Sequence, residues 1–209
     1  MARTFLASLA LLAALALPGT AHAIGGNYVF EGGTAEQRGT VRAALNASAF
    51  NWSLVPARIT ITIAPGSGSY ARPGQIWLDA DLLDAGRFSW AIVQDEYAHQ
   101  VDFFLFDAAT RSRLTRELGA SDWCYGVAGL DHSAYGCERF ASTLVWSYWP
   151  SRDNAYRPTS RNDESAAMAP APFRALMTEL TAAPLTALQR RMIQSAALAQ
   201  AARTTSARR

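Results

Sequence analysis

From about Phe88 to Phe106 the spacing predicts a helix, and three polar side chains, Asp95, His99 and Asp102, share a stripe with Phe88, Ile92 and Phe106. Polar groups in the middle of an apolar face are costly to bury unless something satisfies them. Either a metal ion or a hydrogen-bonded network has to meet this helix, so its neighbours must bring chemistry as well as bulk. Glu96 lies about one hundred degrees round the helix from Asp95, beside the stripe and within reach of a water held on it.

The rest of the chain supplies those neighbours. Thr34 can cap a helix running to about Asn46, with Val41, Ala44 and Leu45 on its inner side. The run from Arg58 to Ile63 alternates as a half-buried strand does, and Gln75 to Asp79 reads as a second short strand behind the Pro73-Gly74 turn. After the central helix, Asp107 can cap a helix ending at Gly119. The glycine- and aromatic-rich stretch from Ala120 to Gly136 reads as a loop. A helix from about Cys137 to Trp149 is stopped by Pro150. A second loop-like stretch leads to a short helix from Phe173, a break at Pro184 and a final alanine-rich helix. The expected class is α+β, mainly helical, with a small sheet ahead of the central helix.

With 209 residues, half of them apolar, the chain suits one domain with a real core. A formal charge of +2 without a basic cluster gives no reason to expect nucleic acid or an anionic membrane as partner. Residues 1–23 read as a cleavable signal peptide: Arg3, the apolar run from Phe5 to Leu17, then Pro18 and Ala21-His22-Ala23 before a mature domain over 24–209 with a C-terminal helical extension. The expected destination is secreted or periplasmic. In an oxidising compartment Cys124 and Cys137, the only two cysteines, are expected to be bridged, which would stabilise by about 3 kcal/mol.

Within the central helix, Asp95-Glu96-Tyr97-Ala98-His99 is the zinc-peptidase pattern H-E-x-x-H with aspartate at its first position. Together with the strand before it and the later Glu138-Arg139-Phe140-Ala141, it resembles the gluzincin branch of zincin-like metallopeptidases over roughly Ile59 to Trp149. The resemblance implies a metal held by His99 and Glu138, with Asp95 where the family has its first histidine, and Glu96 as the general base. It also implies a peptide or protein substrate, paired with an edge strand for which Ile76 to Leu78 is the candidate.

Aspartate in that position changes the chemistry. Two carboxylates and one imidazole cancel the charge of a divalent ion, polarise water less, and open a zinc site to manganese or iron. In the alternative, Asp95 accepts a hydrogen bond from His99 and no metal binds. His132 and Tyr135, in the loop between the cysteines, are candidates for stabilising an oxyanion, and His132 could instead replace the missing nitrogen ligand. Asp102 is expected to orient His99. The leading expectation is a metal-dependent hydrolase, a peptidase, using Glu96. Its alternatives are a catalytically silent zincin-like binding domain and a metal-free glycan hydrolase using Glu96 and Glu138. Asp163-Glu164 matches no calcium-loop spacing and reads as solvated charge.

Overall fold

Isoleucines at 59, 61 and 63 turn to the core while threonines alternate with them, and this pattern forms the middle of a four-stranded sheet. The computed structural model describes residues 25–182 and 186–206. The strands are β1 (Tyr28–Gly32), β2 (Ile59–Ala64), β3 (Tyr70–Arg72) and β4 (Gln75–Asp79), in the spatial order β1-β2-β4-β3. Pairings β1-β2 and β2-β4 are parallel, with Tyr28 opposite Ile59 and Ile61 opposite Ile76. The β3-β4 pairing is antiparallel, with Ala71 opposite Ile76. The helices are α1 (Ala35–Ala47), α2 (Ala80–Leu83), α3 (Ser89–Leu105), α4 (Ala108–Glu117), α5 (Gly136–Tyr148), α6 (Pro170–Ala182) and α7 (Ala187–Ser206). The protein is thus α+β, mostly helical, with a small mixed sheet.

Helix α1 makes the crossover that the parallel β1-β2 pair requires. Its start is locked by a capping box: the Thr34 hydroxyl accepts from the Gln37 amide at 3.2 Å, and the Thr34 amide donates to the Gln37 side chain at 2.9 Å. Helix α3 then packs against α1, β3 and α5, which leaves nearly all of its residues buried. The Gln94 amide donates to the Ala44 carbonyl at the α1 end, at 2.8 Å. Phe88, expected on the inner stripe, instead precedes α3 in a short 3-10 turn and is 56 % exposed.

Gln100 fixes α3 on the sheet. Its side chain donates to the carbonyls of Arg72 and Gln75, at 3.0 and 3.1 Å, and accepts from the Gly74 amide at 2.8 Å. One glutamine thereby satisfies the β3-β4 turn, where Gly74 adopts a φ of +78° that a side chain would resist. Because His99 is the preceding residue, the same bonds set the rotation of α3 that aims the imidazole.

The loop between α4 and α5 is closed by the Cys124–Cys137 disulfide, with Cα atoms 5.4 Å apart. At Gly136 a Cβ would come within 2.7 Å of the Trp123 ring, so α5 can start there only on glycine. Helix α6 seals the core with Phe173, Leu176 and Met177.

The expected elements match to within a residue or two except at the start of α6, and the structure adds β1, β3 and the short α2. Strands β1 and β3 were not anticipated, because Tyr28-Val29-Phe30 lacks alternation and β3 is only three residues long. Helix α6 begins at Pro170 rather than Phe173, since proline is tolerated in a first helical turn. Strand β4 is interior, and β3 is the edge. The expected signal peptide and the break at Pro184 lie outside the described residues. No helix among the described residues is long and apolar enough to cross a membrane.

Replacing Gln100 with alanine removes its bonds to three backbone groups, that of the buried Gly74 amide among them. The expected loss is about 2–3 kcal/mol of stability in urea unfolding. A loss below about 0.5 kcal/mol would mean that the clamp does not hold α3.

Candidate functional site

His99 projects from α3 toward α5, where its Nε2 lies 3.5 Å from Glu138 Oε2 and 3.8 Å from Asp95 Oδ2 one turn back on α3. The three side chains are 8–11 % exposed. Across Glu138 stands His132, with Nε2 3.3 Å from the same Oε2 and Nδ1 2.7 Å from Glu164 Oε1. Carboxylates and imidazoles therefore alternate from the buried Asp95 to the exposed His132 and the partly buried Glu164. Glu96 lines the same cleft. The cleft, of about 620 Å³, is bordered by Tyr70 and Ala71 of β3 and by Phe103, Tyr125 and Tyr156.

Burial shapes the protonation of this group. It pushes Asp95 well above the usual carboxylate range, against the pull of the His99 charge. Glu96 is pushed up to about 7, again chiefly by burial. For His99, burial works downward but is outweighed by Glu138, Asp95 and Glu96, and the imidazole rises to about 9. Burial would raise Glu138, yet His99 and His132 hold it below its ordinary value. His132 is likewise raised, its burial overcome by Glu164 and Glu138.

Among the described residues, the donor atoms of His99, Cys137 and Glu138 all lie within 4.8 Å of one another, a cluster of metal-ligating types. Cys137 is disulfide-bonded and offers no thiolate, so His99 and Glu138 are its usable members. Asp95 and His132 lie beside that pair without belonging to the cluster. The Asp95 Oδ1 is buried with no hydrogen-bond partner.

Two of the expected site residues make their hydrogen bonds to other partners. The Tyr135 hydroxyl donates to the Val127 carbonyl at 2.6 Å and its ring is buried, so it has no free proton to offer the cleft. Tyr125 borders the cleft instead, its ring 4.2 Å from that of Tyr135, and burial followed by the Glu138 charge raises its phenol. Both oxygens of Asp102 are engaged by other partners: one accepts from Arg111 at 2.7 Å and the other from Trp123 at 3.2 Å.

Sequence reasoning also missed Glu164 and Tyr156. Glu164 is not solvated charge: besides His132 it accepts from the Ser142 hydroxyl at 3.2 Å, while Thr143 holds its backbone carbonyl at 3.2 Å. Tyr156 is partly buried beside the carboxylates, and desolvation followed by the charges of Asp95 and Glu96 keeps its hydroxyl protonated. No spacing signal leads to either residue; a buried helix with an excess of carboxylates is the one hint that such donors are needed.

No family model matches the chain, and no curated protein or solved structure matches it either.

The shifts give a signed pH dependence. His99, raised from 6.5 to about 9, contributes stability that is present below its unfolded value and lost as pH rises through about 9. Glu96, raised from 4.5 to about 7, binds its proton more tightly when folded, so stability also falls as pH rises between those values. The chelator-treated protein is therefore expected to show a falling Tm between about pH 6 and pH 9. A flat or rising Tm over that window would contradict the assigned protonation.

Proposed function

We propose that this protein is an exported metal-dependent hydrolase that cleaves peptide bonds, built like the gluzincins that its central motif resembles. The observation that carries this reading is the meeting of His99 and Glu138 in a cleft that also holds Glu96. The residues fit a divalent ion on two counts. Ligand atoms sharing a tetrahedral zinc at ~2.0–2.1 Å are about 3.3–3.4 Å apart, and His99 faces Glu138 and Asp95 at 3.5 and 3.8 Å. Asp95 Oδ1 is also a buried acceptor without a donor.

His99 and Glu138 would hold the ion, zinc in the first instance and manganese or iron as competitors, with Asp95 beside them. A divalent ion in such a site acidifies water and polarises a carbonyl. Glu96, near neutrality at about 7, accepts a proton from an attacking water and returns it to the leaving amine. The protonated Tyr156 hydroxyl is a donor for the developing oxyanion. Strand β3 has no further strand on its outer side among the described residues and borders the cleft, so an extended peptide can add to it there. The disulfide suits an exported chain, as does the N-terminal apolar run.

Glu96→Gln tests the reading. Turnover of a fluorogenic peptide mixture is expected to fall by about 10²-fold or more while bound metal, counted by elemental analysis, is retained. Unchanged turnover removes Glu96 from the reaction. Stoichiometric metal without any hydrolysis by the unaltered chain would leave a binding domain in place of an enzyme.

A further inference from the structure

The usual first histidine of the motif is Asp95 here, yet the site still contains two imidazoles. We propose that His132, oriented by Glu164, supplies the second nitrogen ligand, so that a divalent ion is held by His99, His132 and Glu138. This rests on the metal reading above and assigns its ligands.

Both Nε2 atoms face one oxygen, Glu138 Oε2, at 3.5 Å from His99 and 3.3 Å from His132. Each of those separations is close to the ~3.3–3.4 Å between ligand atoms on one tetrahedral zinc. His132 lies outside the group of ligand atoms within 4.8 Å of one another, so its ring has to swing toward His99 for the three to share an ion. The other nitrogen of His132 meets the Glu164 carboxylate at 2.7 Å. A carboxylate on the far nitrogen is the arrangement that orients a metal-bound histidine and leaves Nε2 as the free lone pair. Glu164 is itself fixed, by the Ser142 hydroxyl on its second oxygen and by Thr143 on its backbone, both from α5. A carboxylate held this firmly at the rim is more than a solvated charge.

The loop carrying His132 is built to present it. The Cys124–Cys137 bridge encloses it, and Arg139 of α5 donates to the Ser133 carbonyl at 2.5 Å and to the Leu118 carbonyl at 2.8 Å. The His132 side chain is 60 % exposed, which leaves the ring room to close on an ion. Asp95 is then a neighbour of the ion and not an obligatory ligand. The set of two histidines and one glutamate is restored with one nitrogen delivered from the opposite wall. Such a set leaves a net positive charge on the site, where two carboxylates and one histidine would cancel it.

The test is X-ray absorption at the zinc edge, with zinc affinity by chelator competition, on the full disulfide-bonded chain loaded with zinc. Two imidazoles per zinc are expected. His132→Ala should leave one imidazole and weaken zinc by about 100-fold or more. Glu164→Gln should keep both imidazoles and weaken zinc by about 10–100-fold. Asp95→Asn should keep both. One imidazole in the unaltered chain, with His132→Ala binding zinc as tightly, overturns the assignment while the metal reading stands. Absence of stoichiometric zinc overturns the metal reading itself. The imidazole count in the unaltered chain decides even if a variant fails to fold.

Discussion

Asp95, Glu96 and His99 lie on a helix covered on nearly every side, and ionised groups there are expensive unless each is matched by an opposite charge or a proton. The remaining architecture supplies those matches. Glu138 from α5 and His132 from the disulfide loop continue the alternation of acid and base outward to Glu164, and burial favours the protonated form of Asp95. The buried cluster is held by neighbours drawn from three separate parts of the chain.

Positioning comes from bonds that do not enter the cluster. Gln100 ties α3 to the β3-β4 turn, and the adjacent His99 inherits that orientation. Asp102 spends both oxygens on Arg111 and Trp123, anchoring α3 to α4 and to the loop that the disulfide closes. Cys137 is covalently part of that loop and adjacent to Glu138, so one bridge steadies both the His132 loop and the start of α5. This division lets a polar site exist inside an apolar core of interlocked aromatics such as Trp52, Phe104 and Phe140.

Much of this was legible from residues alone. The three-and-four spacing of Asp95, His99 and Asp102 located the helix, the isoleucine-threonine alternation located β2, and the two cysteines could pair only with each other. Glu138 was legible because it opens a helix in a family-like pattern. Phe88 was misread because the stripe was extended past the helix start, where a 3-10 turn rotates it outward. Tyr125 gave no signal in the sequence, since which phenol borders the cleft depends on the path of an irregular loop.

Periodicity determines which face of an element is buried, so the chain by itself specified a helix with ionisable groups on its inner side, a small sheet ahead of it and a bridged loop behind it. Which partners meet those groups was decided only by tertiary packing. Glu164 and Tyr156 come from a stretch with no regular spacing, Asp102 turns to Arg111, and β3 takes the sheet edge from β4. The physical reason is that contacts between distant segments depend on how whole elements stack and where loops return. Side-chain spacing along one segment carries no record of that.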